Sequence, residues 1–146
     1  MTLKKFLINK LKKFFGFDKY EFNKIIVDKE VIEKIIDLAK QAYPKEFVIL
    51  LEGKFENKEL VITDVLFNTY QASNNATSMT LDLPITSKII GTAHSHPGHS
   101  NMPSGADLTF FNKYGMVHII IAYPFNADTI RMYNIYGDEI GFFVKD

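Results

Sequence analysis

The chain has 146 residues, of which 47% are hydrophobic, and this length suits one compact domain with a hydrophobic core rather than two. Its 17 Lys and Arg residues balance its 17 Asp and Glu residues, so no net charge draws the protein to nucleic acid. The absence of cysteine excludes disulfides, a cysteine nucleophile and iron–sulfur clusters, and leaves histidine and carboxylate as the metal ligands.

Residues 1–20 predict a basic amphipathic helix. Apolar side chains recur at spacings of three and four as far as Gly16, and five lysines precede the first acidic residue, Asp18. Such a helix can lie on an anionic membrane surface, but packing on its own domain or on the second subunit of a homodimer is the favoured interpretation. The sequence shows no membrane span and no signal peptide, which predicts a cytoplasmic protein.

The first part of the remaining unit, residues 21–146, predicts a strand, a helix and a hairpin. Lys24 to Val27 is strand-like, and Asp28 is placed to cap a helix that ends at Pro44. The helix is expected to bury one apolar side, made of Val31, Ile32, Ile35, Ile36, Leu38, Ala39 and Ala42. The hairpin is expected to have a buried strand, a turn and a return strand at residues 46–51, 52–57 and 59–67.

The second part predicts more strands and one short helix. Residues 69–77 are polar and predict an exposed loop, whereas Ser104 is placed to begin a helix that Gly115 closes. Strands are predicted at residues 80–83, 89–96, 116–123, 129–136 and 140–144, the last two forming a closing hairpin.

The side chains with chemical potential gather in residues 94–107. His94 and His96 are two apart on a predicted strand, so both imidazoles lie on one face and Ser95 points the other way. Asp107 follows in the first turn of the next helix, after a loop short enough to fold its carboxylate back. Two imidazoles and a carboxylate, with no fourth protein ligand, are typical of a catalytic zinc whose open position holds a water with a pKa near about 7.

Each of these residues also has an ordinary structural explanation. A histidine on a strand is usually a core or surface residue, and Asp107 is favourable at a helix N-terminus. The combined spacing of H-x-H, seven residues and S-x-x-D nevertheless favours a metal site. Ser104 is an N-cap in the same pattern, and its hydroxyl is also placed to donate to an oxyanion.

The segments H-S-H-P at 94–97 and S-G-A-D at 104–107 resemble the signature of the JAMM, or MPN+, family of zinc isopeptidases. The resemblance covers about residues 28–144. It implies a single-domain α/β fold, JAMM/MPN-like and related to cytidine deaminases, with a β-sheet flanked by helices and residues 1–20 as an extra helix. It also implies one zinc ion per chain, bound by His94, His96 and Asp107.

The family also has a glutamate in the setting P-x-E-x-x-G-x-L-x-G, and the residues that fall in that register are Pro44, Glu46, Leu51 and Gly53. The resemblance implies that Glu46 is the general acid/base that takes a proton from the zinc-bound water and returns it to the leaving amine. Ile49 stands where the pattern prefers glycine, which bears on the packing beside Glu46. Glu52 is the nearest rival for the catalytic role.

The function implied by the resemblance is zinc-dependent hydrolysis of the amide bond that joins a ubiquitin-like modifier to a target amine. The expected partners are therefore a ubiquitin-like modifier and its protein conjugates. Small members of the family also act on small-molecule conjugates or on sulfur-carrier proteins, and the sequence does not separate these substrates. A non-catalytic MPN-type scaffold is the alternative from another class, and it is disfavoured because the complete residue set is present.

Other functions fit the sequence poorly. A zinc nucleoside deaminase would need cysteine ligands and H-x-E, but position 96 is histidine. A serine hydrolase of the G-x-S-x-G type is excluded because that pattern does not occur, and the aromatic residues form no stacking platform for nucleic acid. His99 is interpreted as a solvated loop residue, and His118 as a hydrogen-bonded core residue rather than a ligand.

Overall fold

Strands dominate the part of the chain that the computed structural model describes, residues 2–3, 22–66 and 88–146. The strands are β1 (Lys24–Asp28), β2 (Val48–Glu56), β3 (Glu59–Leu66), β4 (Ile89–His96), β5 (Val117–Ala122), β6 (Ile130–Asn134), β7 (Glu139–Ile140) and β8 (Phe143–Lys145). The helices are α1 (Lys29–Ala42) and α2 (Gly105–Phe111), with a 3-10 turn at Ala127–Thr129. Almost all of the predicted N-terminal helix, and the loop and strand predicted at 69–77 and 80–83, lie outside the described residues.

The strands form one mixed sheet in the order β7-β6-β5-β4-β2-β3-β1-β8. The pairs β1–β3, β1–β8 and β4–β5 are parallel, and the others are antiparallel. The two end strands are separated in sequence only by Gly141 and Phe142, so Ile140 and Phe143 lie within about 11 Å of each other, given 3.8 Å per Cα step. The sheet is therefore curled. The prediction of a single strand at 140–144 is wrong, because the chain leaves β7 after Ile140 and joins the opposite end of the sheet.

Helix α1 covers one face of the sheet and forms most of the core with it. Val31, Ile32, Ile35 and Ala39 are buried against β-strand side chains, while Ile36, Leu38 and Ala42 pack around them half-buried. Burying each large aliphatic side chain stabilises the fold by about 1.5–3 kcal/mol. The predicted helix and its apolar side are confirmed, but Asp28 occupies the N-cap position without a side-chain hydrogen bond. Among the described helices, none has the length and apolar character required to cross a membrane.

The opposite face of the sheet carries α2 and a second, smaller apolar cluster. Its buried members are Val48, Leu50, Phe110, Phe111, Ile120 and Tyr133. Alternate side chains of β2 point to opposite faces, so Val48 and Leu50 face α2 while Ile49 and Leu51 face α1. The predicted arrangement of a sheet flanked by helices is confirmed.

The β2–β3 hairpin is longer than its sequence suggests. The predicted turn at residues 52–57 is wrong, because β2 continues to Glu56 through a bulge between Glu52 and Gly53. The chain turns instead at Asn57 and Lys58, which both have positive φ, 51° and 61°, as expected of a two-residue hairpin turn. At Gly53 a Cβ atom would lie 2.7 Å from the carbonyl oxygen of Val61, so the bulge needs glycine.

The sequence predicted that Gly115 closes α2, and this prediction is wrong. The helix ends at Phe111 with Asn112 as its C-cap, and Gly115 has a φ of 95° in the turn that leads to β5. A Cβ at Gly115 would lie 2.6 Å from backbone atoms of Ile90 and Gly91. The glycine therefore allows this turn to lie close against β4, the strand that carries the two motif histidines.

Candidate metal centre

Strand β4 presents His94 and His96 on the face of the sheet that carries α2. His94 is buried, with 2% of its surface exposed, and His96 is half-buried at the end of the strand. Their Nε2 atoms lie 3.2 Å apart. Ser95 points to the other face, where its Oγ accepts a hydrogen bond of 3.1 Å from the backbone N–H of Phe47. The strand thus brings two imidazole nitrogens to one point.

Helix α2 supplies a carboxylate to the same point. Asp107 Oδ1 lies 3.1 Å from His94 Nε2, and Asp107 Oδ2 lies 3.1 Å from His96 Nε2. The carboxylate is positioned by a capping box, in which Ser104 N donates to Asp107 Oδ2 at 2.7 Å and Asp107 N donates to Ser104 Oγ at 3.1 Å. The cap predicted at Ser104 is confirmed, and the same cap orients the acidic side chain.

The spacing of these atoms suits a tetrahedral metal ion. Zinc bound at about 2.0 to 2.1 Å in tetrahedral geometry places its ligand atoms about 3.3 Å apart. The two imidazole nitrogens are 3.2 Å apart, and each lies 3.1 Å from a different oxygen of the Asp107 carboxylate. One ligand atom from each of the three residues lies within 4.8 Å of the other two. Among the described residues, His94, His96 and Asp107 are the one group of three histidine or acidic side chains that could hold a metal ion.

The two histidines are oriented by different means. His96 Nδ1 lies 2.9 Å from the carbonyl oxygen of Ser100, so in the neutral ring Nδ1 carries the proton and Nε2 has the lone pair that a metal needs. The sequence gives no signal for this contact, because a backbone carbonyl makes it. Within residues 22–66 and 88–146, no group pairs with the buried Nδ1 of His94. The His94 ring instead packs on Phe111, with ring centroids 6.1 Å apart.

The loop between β4 and α2 is tied down by residues that the sequence did not single out. Tyr133 on β6 donates a hydrogen bond of 2.6 Å from its hydroxyl to the carbonyl of Asn101. Asn101 in turn donates from Nδ2 to the carbonyl of Thr129 at 3.1 Å. These contacts fix the loop between His96 and Ser104, and so they help to hold α2 in position relative to β4.

Glu46 lies just before β2, opposite His96. Val48 pairs with His94, and Ser95 N donates to the carbonyl of Phe47 at 3.2 Å, so the antiparallel register continues to Glu46 and His96. Directly opposite residues of an antiparallel pair point to the same face. The Glu46 side chain is exposed, and extension of the register by two residues places it on the face where the three candidate ligands meet.

The other residues considered in the sequence analysis do not join the three candidate ligands. Glu52, the rival of Glu46, lies six residues further along β2, about 20 Å away at 3.3 Å per residue. Ile49 is buried on the α1 face, so its bulk does not crowd the site. His99 is exposed, and its ring contacts Tyr123 at 5.3 Å. His118 is fully buried and hydrogen-bonded to Thr92, as predicted for a core residue.

The charges at the site favour an ionised Asp107. Burial alone would raise the pKa of this carboxyl, but hydrogen bonds from His94 and His96 outweigh burial and hold it far below its ordinary value. The carboxylate is therefore negatively charged at neutral pH, as a metal ligand must be.

The pKa of His96 is shifted upward by the same cluster. Burial alone would lower it, but the hydrogen bond to Asp107 and the Ser100 carbonyl both favour the protonated ring. The negative charges of Asp107 and Glu46 act in the same direction. In the absence of metal, the proton is therefore held more tightly on His96 than on an ordinary histidine.

We expect zinc affinity to rise with pH across the raised pKa of His96, because zinc needs the neutral imidazole and competes with the proton. The stability of the metal-free protein should instead fall as pH rises through the same pKa. The protonated His96 stabilises the fold below the pKa of an unfolded histidine, about 6.5, and this contribution is lost as pH rises through the folded pKa. Competition with a chelator of known proton affinities, between about pH 5 and 8, measures the first trend. A pH-independent zinc affinity in that range would contradict it.

Replacing Ser104 by Ala is expected to lower the free energy of unfolding of the metal-free protein by about 0.5–2 kcal/mol, because Asp107 N–H loses its acceptor. The midpoint of urea denaturation measures this loss. Ser104→Thr is the matched control, since threonine also caps helices. If Ser104→Ala were as stable as the parent, the hydroxyl would not be the cap.

The fold and this site can be compared with known proteins. The sequence profile of the family described as "Prokaryotic homologs of the JAB domain" matches residues 28–136. The chain belongs to this family. The resemblance to JAMM/MPN proteins is thereby confirmed, and the JAB-domain match spans every residue of the candidate site.

One relative of this JAB-domain chain is described as a probable metalloprotease, and a solved relative is described by its metalloprotease-like zinc site. A "Probable metalloprotease" of Haloferax volcanii is 29% identical, over 75% of this chain and 72% of its own length. A solved structure described as "JAMM: A Metalloprotease-like Zinc Site in the Proteasome and Signalosome" is 30% identical with a TM-score of 0.65, covering 85% of this chain and 100% of its own.

A second solved structure, a JAB1/MPN domain protein of Archaeoglobus fulgidus, is 27% identical with a TM-score of 0.66, covering 85% of this chain and 99% of its own. Both structures confirm that the curled sheet with its helices is the JAMM/MPN fold. The likeness to cytidine deaminases stays a prediction.

Proposed function

We propose that this chain is a zinc-dependent isopeptidase that removes a ubiquitin-like modifier from a target amine. The observation that carries the proposal is the position of Glu46, across from His96 on the face where His94 and Asp107 also meet. A carboxylate on the face of the three proposed ligands supports a proton-transfer role for Glu46. The relative named as a probable metalloprotease supports the same class of reaction.

The proposed metal is one zinc ion per chain, held by His94, His96 and Asp107. Three protein ligands leave a coordination position open, which distinguishes catalytic from structural zinc sites. When bound, zinc supplies a Lewis acid that lowers the pKa of water and polarises the scissile carbonyl. The chain orients both histidines in advance, since the Ser100 carbonyl fixes the tautomer of His96 and packing on Phe111 constrains the His94 ring.

Glu46 is proposed as the general acid/base. Its carboxylate is exposed at the end of the ladder formed by β2 and β4, so it can accept a proton from the attacking water on the His96 side of the site. The same carboxyl then returns the proton to the leaving amine nitrogen as the amide bond breaks. Its negative charge also contributes to the raised pKa of His96.

Ser104 is proposed to stabilise the oxyanion. In the capping box its Oγ accepts from Asp107 N, which uses a lone pair and leaves the hydroxyl proton available. Ser104 is exposed and begins the helix next to the carboxylate ligand. Its hydroxyl can therefore donate to the carbonyl oxygen that becomes negative during attack.

A protein substrate is favoured by the surface around the site. Tyr43 lies three residues before Glu46 and is 48% exposed, and its ring contacts that of Tyr123, which is 39% exposed. The backbone N–H of Tyr123 bonds to the carbonyls of His96 and Gly98, so this aromatic surface adjoins the metal centre. Adjacent exposed aromatic side chains are typical of surfaces that contact other proteins.

The test uses a ubiquitin-like protein whose C-terminal glycine is joined to the ε-amine of lysine in a fluorescent peptide. The zinc-loaded protein is expected to release the peptide, and removal of zinc with a chelator is expected to stop the release. A short peptide that carries only the last residues of the modifier is the matched probe for a small-conjugate hydrolase. Cleavage of the short probe alone would overturn the modifier assignment. If a zinc-bound protein cleaved neither probe, the result would favour the alternative of a non-catalytic MPN-type scaffold.

A further inference from the structure

His118 is a buried titratable residue that the proposed chemistry does not use. It is fully buried in β5, and its Nδ1 lies 2.7 Å from the hydroxyl of Thr92, its register partner on β4. Its ring stacks on Phe111 of α2, with centroids 4.2 Å apart and an interplanar angle of 6°. The imidazole thus joins two neighbouring strands to the helix that carries Asp107.

Phe111 is linked to two of the candidate ligands, to Asp107 through the helix and to His94 by contact. It lies four residues after Asp107 in α2, so both side chains face the sheet from one side of the helix. Its ring also packs on His94, at 6.1 Å between centroids. Any shift of this ring would therefore move both the helix that holds the carboxylate and the imidazole of a proposed ligand.

His94 depends on this packing more than His96 does. A metal-binding imidazole usually donates its second nitrogen to a fixed acceptor, which sets the angle of the ring. His96 has that acceptor in the carbonyl of Ser100, 2.9 Å away. In the described parts of the chain His94 has no such acceptor, so contact with Phe111 supplies the constraint that a hydrogen bond supplies elsewhere.

We propose that His118 is a positioning residue for the metal centre, which holds the Phe111 ring against His94 and sets the depth at which α2 presents Asp107. The proposal rests on the metal site of the proposed function. It assigns His118 neither metal binding nor proton transfer. The hydrogen bond between Thr92 and His118 keeps the imidazole in the plane that stacks on Phe111.

The experiment measures metal binding by the full chain, with zinc affinity from chelator competition and with the visible absorption spectrum of bound Co²⁺. Replacing His118 by Ala is expected to weaken zinc binding by about 10- to 100-fold, the range for residues behind a first ligand shell, and to alter the Co²⁺ spectrum. Ile119→Ala is the matched control, because Ile119 is equally buried on the same strand but faces α1. It should lose stability and keep the parent's affinity and spectrum.

A double variant, Thr92→Val with His118→Phe, separates ring stacking from hydrogen bonding. It keeps an aromatic ring against Phe111 and leaves no hydroxyl unpaired, so it should restore affinity and spectrum. If His118→Ala does not fold, Phe111→Leu removes the same stack from the helix side and should give the same loss.

The outcomes separate this inference from the proposed function. A parent protein that binds no zinc would overturn the metal site itself. A parent that binds zinc, with His118→Ala indistinguishable from Ile119→Ala in affinity and spectrum, would overturn the positioning role alone. Failure of the double variant to restore binding would also overturn it, since the stacked ring would then not be the cause.

Discussion

Replacing Glu46 by Gln is expected to leave zinc bound and to lower turnover by about 10²- to 10⁴-fold, the contribution usual for a positioned general acid/base. Glutamine keeps the shape of the side chain but cannot take a proton from water or return one to the leaving amine. Zinc should remain, because the three converging ligand atoms belong to His94, His96 and Asp107. Peptide release from the isopeptide-linked conjugate measures turnover, and metal analysis measures zinc.

Glu52→Gln is the control for this variant. Glu52 is on the same strand, but its distance from the histidines along β2 keeps it out of the reaction. Its replacement should leave both activity and zinc content unchanged. Full activity in Glu46→Gln, or an equal loss in Glu52→Gln, would remove Glu46 from the mechanism.

Replacing His96 by Ala is expected to weaken zinc binding more than about 100-fold, beyond the 10- to 100-fold cost of losing a residue behind the ligands. The variant removes one of three ligand atoms and leaves the Asp107 carboxylate with a single imidazole partner. Zinc per chain after dialysis against a weak chelator measures the effect. Activity should disappear together with the metal.

His99→Ala is the control for the ligand assignment. His99 lies three residues further along the same loop, but it is exposed and its ring contacts Tyr123 rather than the converging atoms. Its replacement should leave zinc content at the level of the parent. Retention of zinc by His96→Ala, or its loss from His99→Ala, would show that the ligand set is different.

Local signals in the sequence were sufficient to predict several elements around the site. The bounds predicted for the strand that carries the histidines are those observed, 89–96, because an apolar run leads directly into the H-x-H motif. Ser104 was predictable as an N-cap because capping involves residues only three apart. The candidate role of Glu46 followed from the family pattern, and extension of the β2–β4 register by two residues puts it opposite His96.

Features that depend on distant residues were not predictable in this way. Strand β2 continues past the predicted turn through the bulge at Gly53, where the Val61 carbonyl on the neighbouring strand leaves no room for a Cβ. The Ser100 carbonyl that orients His96 is a backbone group and leaves no trace in residue type. The stack of His118 on Phe111 joins a strand to a helix, and neither segment indicates by itself that the other lies against it.

The short strands at the two ends of the sheet limit the way other polypeptides can approach. An open sheet exposes unpaired N–H and C=O groups along its outermost strands, where a foreign chain can add as a further strand. Among the described residues those positions are occupied by β7 and β8, which comprise 2 and 3 residues. So few backbone groups offer too short a template for strand addition, which guards the fold against edge-to-edge aggregation.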